Sequence, residues 1–298
     1  MKAVEVEHLF KSYSGKVAVC DLSFAVSSGE VLGLIGPNGA GKSTTLKTIL
    51  GFLQPDSGEI AVFGGGLDDA AKNRIGYLPE ERGLYKKLSA IELIAYLATL
   101  KGMSKRAAVQ RADQLLKRMG LQDSRRLKIE AMSKGMSQII QLIVTIAHDP
   151  ELVILDEPFA GLDPVNTERL GRLIGDLRNR GTSLILSTHQ MHQVEELADR
   201  ILMIHEGRAV LSGDLSEIKA EHRGHSVLVA TDGDIGPLDG VTSVRPDKDH
   251  VELTLNCDTD PQQVLTQLLK KGRPIHRFEV ATPSLHEIFL SIAGDPDE

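Results

Sequence analysis

The chain has 298 residues and a net charge of −7, with 41% hydrophobic and 25% charged residues and no Trp. That length fits one large domain or a large one with a small companion, and the ordinary composition points to a packed globular core. The acidic balance argues against a protein that coats nucleic acid, although a local basic patch stays open.

In chain order, MKAVEVEHLFKSY alternates apolar and polar residues as a strand does and lacks the apolar core of a signal peptide. AVEVEHLF and LSFAV predict antiparallel strands near the start. EVLGLIG is fully apolar, as expected of a buried strand, and leads through a glycine-rich turn into KSTTLKTILGFL, which reads as a helix. SGEIAVFG, bounded by glycines, predicts another strand. From about residue 89 to 119 the pattern turns helical. SAIELIAYLATL opens with Ser89 as N-cap and Glu92 three residues on, a capping box. SKRAAVQRADQLLKRMG is amphipathic, and its basic residues read as a solvated face. SQIIQLIVTIA predicts an apolar helix. LVILD, SLILST and RILMIHEG read as buried strands alternating with the helices NTERLGRLIGDLRNRG and MHQVEELAD, the pattern of a parallel sheet wrapped by helices. The character changes around Glu221–Gly224, and SVLVAT, HVELTLN, PQQVLTQLLKKG, HRFEVA and SLHEIFLSIAG predict a small α/β appendage over residues 223–298. No apolar run approaches the roughly 18–20 residues of a membrane-crossing helix, so the chain is expected not to cross a bilayer by itself. Cys20 and Cys257 stand far apart, outside any ligand spacing, which fits a reducing compartment and excludes a disulfide framework.

Gly36, Pro37, Asn38, Gly39, Ala40, Gly41, Lys42, Ser43 and Thr44 match G-x-x-x-x-G-K-[ST] in full, between a buried strand and a helix. Glycines let successive backbone N–H groups turn toward phosphate oxygens, and the helix start adds the positive end of its dipole. Lys42 is expected to reach the β- and γ-phosphates and the Ser43 hydroxyl to ligate Mg²⁺. In such a nucleotide-binding loop protein, an apolar strand ending in Asp supplies a second Mg²⁺ contact, and Asp156 of LVILDEP fits that role. Glu157 projects to a different side, where it can orient or deprotonate the attacking water.

GPNGAGKST, YLPEERGLY, MSKGMSQ, LVILDEP, GLDP and STHQ, in this order over residues 1 to about 215, resemble the ATP-binding subunits of ABC transporters. The resemblance implies a P-loop NTPase fold of the ABC ATPase type, α/β with a mixed core sheet, an antiparallel β subdomain and a helical subdomain over about 85–145, within an ATP-binding domain of residues 1–222. It places Tyr13 where the family stacks an aromatic ring on adenine. His189 resembles the switch histidine that contacts the γ-phosphate. Asp163 resembles the loop residue that touches the opposite subunit. Ser133 and Gly135 resemble the signature element that faces the ATP of the other subunit.

Two positions depart from the family pattern. Glu80 stands where Gln is usual, so it can hold Mg²⁺ by charge and cannot donate an amide hydrogen bond. The signature reads Met132-Ser133-Lys134-Gly135-Met136 in place of Leu-Ser-Gly-Gly-Gln, which puts the rate of turnover in question. The tail, especially PSLHEIFLSIAG, resembles appendages on ATPases of bacterial drug- and ion-exporting systems, and the spacing of His276, His286 and Glu287 is no recognised ligand set. The resemblance therefore implies an ATP- and Mg²⁺-dependent ATPase, working as a homodimer at the cytoplasmic face of the membrane through an integral membrane permease, in export more than import, without nucleic acid. A related ATPase acting on ribosomes or DNA, or an ATP-gated clamp with little turnover, remain the alternatives.

Overall fold

The computed structural model describes all residues except 82, 223–225, 233–234, 247–249, 257–258, 273, 282 and 294–298. Arg82 of YLPEERGLY, Cys257, Gly294 of PSLHEIFLSIAG and the expected boundary at residue 223 lie outside the described residues. These residues form two compact units, Met1–Leu215 and Ser216–Glu298.

In the first unit, β1 (Lys2–Tyr13) and β2 (Lys16–Ser27) make an antiparallel hairpin through Ser14 and Gly15, both at positive φ, as a tight hairpin turn requires. β4 (Ser57–Val62), which follows β3 (Val31–Ile35) in sequence, pairs with the other edge of β1, so this sheet runs β2-β1-β4. Val4 and Val6 of β1 are buried while Glu7 is exposed, the alternation read from the sequence.

The second sheet runs β5-β6-β7-β3-β8-β9 and comprises β3 (Val31–Ile35), β5 (Ile75–Leu78), β6 (Leu152–Asp156), β7 (Ser183–Thr188), β8 (Arg200–His205) and β9 (Arg208–Asp214). All its pairings are parallel except β8 with β9. Every residue of β3, β6 and β7 is buried, which is why these strands read as unbroken apolar runs. α1 (Lys42–Ile49) ties the two sheets together: its Leu46 and Ile49 share one buried cluster with Val4, Leu9, Leu34 and Ile154. The sequence pattern predicts helix as far as Leu53, and the helix ends at Ile49 instead. Gly51 takes φ 70°, its N–H meets Thr48 O and the Phe52 N–H meets Lys47 O, the paired bonds of a glycine C-cap.

After the short α2 (Asp69–Asn73) come α3 (Ala90–Leu100), α4 (Lys105–Arg118) and α5 (Lys134–Ile146). Glu92 Oε2 accepts from the Ser89 backbone N–H and hydroxyl at 2.9 and 2.6 Å, so the predicted capping pair starts α3. α6 (Pro164–Asn179) and α7 (Met191–Leu197) fill the connections between β6, β7 and β8. No helix among the described residues is long and apolar enough to cross a membrane.

The second unit opens with α8 (Leu215–Glu221), whose first residue is the last of the first unit. It holds β10 (Ser226–Thr231), β11 (Val241–Pro246), β12 (Val251–Leu255), α9 (Pro261–Lys270), β13 (Ile275–Val280) and α10 (Leu285–Ala293). Its antiparallel sheet runs β11-β12-β10-β13 over a core that includes Val227, Val229, Leu253 and Val264.

α5 lies so close to β5 that a Cβ at Gly76 would stand 2.2 Å from the Thr145 carbonyl oxygen. Gly76→Ala must push helix and strand apart. It is expected to destabilise the fold by about 1–3 kcal/mol, read as a lower urea midpoint at unchanged slope.

Candidate functional site

The turn after β3 is built by close approach. A Cβ at Gly36 (φ 153°) would fall 2.1 Å from Ile204 O, and one at Gly41 (φ 108°) 2.4 Å from Ala18 O. Only glycine fits both positions, so the backbone curls tightly into the N-terminus of α1. Asn38, Gly39, Gly41, Lys42, Ser43 and Thr44 line a cleft of about 350 Å³, and Ala18, Glu80, Glu157, Ala160 and His189 line the rest of it.

Lys42 is buried, and its Nζ donates to Gly36 O at 2.8 Å and Pro37 O at 3.1 Å. It lies 4.0 Å from Glu157 Oε1. Burial lowers its pKa, and Glu157, Asp156 and Glu80 pull the other way.

Asp156 ends β6 at 1% exposure. Burial raises its carboxyl pKa above the ordinary value, the Ser187 and Ser43 hydroxyls oppose this, and Glu157 adds to it. Its Oδ1 is buried with no hydrogen-bond partner. A hard, desolvated oxygen without a donor suits a divalent cation; the Ser43 hydroxyl lies next to Asp156, and Glu80 lines the same cleft as Ser43. Among the described residues no three His, Cys, Asp or Glu side chains converge as a metal centre, so a cation here also needs hydroxyl and phosphate oxygens.

Glu157 is a non-glycine residue at φ 49°, a strained conformation of the kind that collects at functional sites and costs about 1–3 kcal/mol. Its N–H is held by Ser187 O at 2.9 Å. The carboxylate accepts from the Thr188 hydroxyl at 3.1 Å and the His189 N–H at 3.0 Å, and His189 Nδ1 lies 2.9 Å away. An ionised carboxylate only accepts, so Nδ1 carries the proton and Nε2 is left to the cleft. Thr188, whose hydroxyl donates to Glu157, and Ser187, which pairs with Asp156 across the sheet, were not singled out by the sequence reading. The signal was there: hydroxyls close the apolar strand SLILST, and β6–β7 pairing puts Ser187 beside Asp156.

Of the predicted residues, Gly36, Pro37 and Ala40 belong to the loop without lining the cleft, Asp156 is buried next to Glu157, and Tyr13, Ser133, Gly135 and Asp163 do not line it either. Tyr13 ends β1, is 43% exposed and has Lys11 Nζ 5.7 Å from its ring centroid. Ser133 caps α5, its hydroxyl accepting from the Met136 N–H at 3.2 Å. Asp163 caps α6 through the Asn166 N–H at 3.0 Å, a bond that holds its carboxyl below the usual range, and it also accepts from the Asn166 amide at 2.6 Å. A Cβ on Gly135 would lie 4.0 Å from Asn166 Nδ2, so the starts of α5 and α6 form one neighbouring patch.

A family profile described as ABC transporter matches residues 19–160, and one described as the C-terminal domain of DrrA1-3-like ATP-binding proteins matches residues 213–293. The chain is 40% identical to the uncharacterized ABC transporter ATP-binding protein YhaQ of Bacillus subtilis (strain 168), over 97% of this chain and 98% of that protein. It is 35% identical to the Nod factor export ATP-binding protein I of Rhizobium sp. (strain N33), over 98% of this chain and 97% of that protein. A solved structure of the ATP-binding subunit of an ABC transporter superposes with a TM-score of 0.69 at 33% identity, covering 74% of this chain and 92% of that one.

The buried acid gives a pH-dependent prediction. The folded protein holds the Asp156 pKa above its unfolded value, so the neutral form is favoured: stability is full below the unfolded pKa and is lost as pH rises through the folded one. Asp156→Asn keeps the neutral form at every pH. At pH 7 without nucleotide or metal it is expected to unfold at higher urea than the wild type, by about 1.4 kcal/mol per unit of pKa elevation. The gain should vanish near pH 3.

Proposed function

Because the chain belongs to the ABC transporter family of ATP-binding proteins and is an ATPase, we propose that it powers export through a separate membrane-embedded permease as a head-to-tail pair with a second copy of itself. The observation that carries this reading is the split of the site. Residues of the phosphate loop and Glu157 line one cleft with Asp156 next to them, while Ser133, Gly135 and Asp163, around the starts of α5 and α6, do not line it and in this reading serve the nucleotide of another chain. An N-terminal helix turn capped by Ser133 suits a phosphate, and Lys134 at the same turn adds charge of the right sign.

In this reading Tyr13 stacks on adenine and residues 36–44 wrap the phosphates. Lys42 leaves its two loop carbonyls to meet phosphate oxygens. Ser43, Asp156 and Glu80 hold Mg²⁺, which supplies positive charge to the phosphate oxygens when bound. Glu157 is the general base: its carboxylate is fixed by Thr188 and His189 and faces the cleft where water attacks. His189 Nε2 reaches the γ-phosphate; with Nδ1–H committed to Glu157, it donates to an oxygen only as the imidazolium. Catalysis rests on positioning and charge stabilisation.

Export is supported by the relative named for Nod factor export. The permease contact falls to the helical lobe, where Tyr85 and Tyr96 are exposed and meet edge to face at 6.2 Å. This sets the protein at the cytoplasmic face of a membrane without crossing it, and leaves nucleic acid no role.

Glu157→Gln is expected to lower phosphate release at least about 100-fold while ATP still binds, and to sediment as a dimer with Mg²⁺ and ATP. Turnover at the wild-type rate would remove Glu157 as the base, and a monomer under these conditions would remove the paired site. Tyr13→Ala should raise the ATP Kd roughly tenfold, in line with a stacking contribution of about 1–3 kcal/mol. Tyr13→Phe should leave it unchanged in equilibrium dialysis.

A further inference from the structure

The edge strand β5 and the loop after it lie against one face of α5. Gln141 and Thr145 of that helix share the face by their i, i+4 spacing, and His148 follows two residues past its end. The three side chains meet alternate carbonyls of the strand and loop. His148 Nε2 stands 3.1 Å from Ile75 O. Burial lowers the His148 pKa, so the ring is neutral and the carbonyl assigns its proton to Nε2. The Thr145 hydroxyl lies 3.2 Å from Tyr77 O and 3.0 Å from its own helix carbonyl at Gln141, and shares one hydrogen between them. Gln141 Nε2 lies 3.4 Å from Pro79 O and 3.3 Å from Glu81 O.

The Gln141 amide therefore brackets Glu80, touching the carbonyl on either side of it. The orientation is fixed by its partners: a flipped amide would set an oxygen against two carbonyl oxygens. The side chain is 5% exposed and its Oε1 is buried without a partner, so the amide is held in an apolar helix face at a cost. Both bonds are long, so each is weak alone, and together they fix where the backbone of residue 80 runs.

We infer that Gln141 is a positioning residue for Glu80, bracketing the carbonyls of Pro79 and Glu81 so that the Glu80 carboxylate points into the phosphate cleft. The inference rests on the reading of Glu80 as a Mg²⁺ contact. Outer partners of this kind hold a ligand's backbone still, and losing one weakens metal binding about 10–100-fold. Gln141 supplies two donors where Glu80 itself, as a carboxylate, supplies none.

The test uses the full chain with Gln141→Met, which keeps the volume and removes both donors, and Gln141→Glu, which keeps a polar head and turns donor into acceptor. Two readouts are independent of turnover: binding of a fluorescent ATP analogue titrated with Mg²⁺, and amide hydrogen exchange at residues 80 and 81. The expected result is a Mg²⁺ requirement raised about tenfold or more, unchanged analogue binding in EDTA, and faster exchange at residues 80 and 81. Glu80→Gln should raise the Mg²⁺ requirement as well, and Glu80→Gln with Gln141→Met should be no worse than Glu80→Gln alone. A Gln141 variant that lowers only the thermal midpoint, or effects that simply add, overturns the inference and leaves the reading of Glu80 standing. An unaltered Mg²⁺ requirement in Glu80→Gln removes that reading, and the inference falls with it.

Discussion

Two adjacent carboxylates and one ammonium are buried together at the tip of a strand that is itself buried along its whole length. Asp156 keeps an unpartnered oxygen and a raised pKa there, while Lys42 is held by two loop carbonyls and has its own pKa pushed down. Desolvation penalises both signs at once, and the protein's own groups compensate it only in part. In the proposed reading the remaining compensation comes from a cation beside Asp156 and phosphate oxygens before Lys42. The surrounding elements serve this imbalance. Close backbone approach at Gly36 and Gly41 shapes the loop, and the end of β7 fixes Glu157 through its backbone N–H and its carboxylate.

Much of this was legible in the residues because it is local. The phosphate loop is a run of nine residues with a strand before and a helix after, and the solid apolar runs of β3, β6 and β7 announce strands covered on both faces. The capping pair at Ser89 and Glu92 is likewise a matter of spacing. The elements missed were short or weakly patterned. β5 has four residues with a glycine inside it, β9 is mostly half-exposed, and β11 is nearly all exposed, so neither length nor period marks them. α1 was drawn too long because ILGFL stays apolar past Gly51, and only the positive φ there shows the stop.

Long-range geometry was illegible for a different reason. Glu157 and its partners Thr188 and His189 are about thirty residues apart in sequence and meet only because β6 and β7 pair in parallel. Gln138 and Gln141 look like ordinary polar interruptions of an apolar helix. In the fold the first reaches Pro158 O at 3.5 Å and the second the loop around Glu80, so one helix touches both acidic loops of the cleft. That helix is capped by Ser133, about 12 Å from Gln141 along its axis.

The outer edge of β5 has a further consequence. The edge of a parallel sheet ordinarily presents a row of free carbonyls that a strand from another molecule can use as a template. Here the carbonyls of Ile75 and Tyr77 are already occupied by His148 and Thr145. Gly76 brings the helix backbone too close for an intruding chain. The contact that steadies the cleft also shields the sheet from aggregation, and a partly unfolded chain in which α5 lifts away exposes that template first.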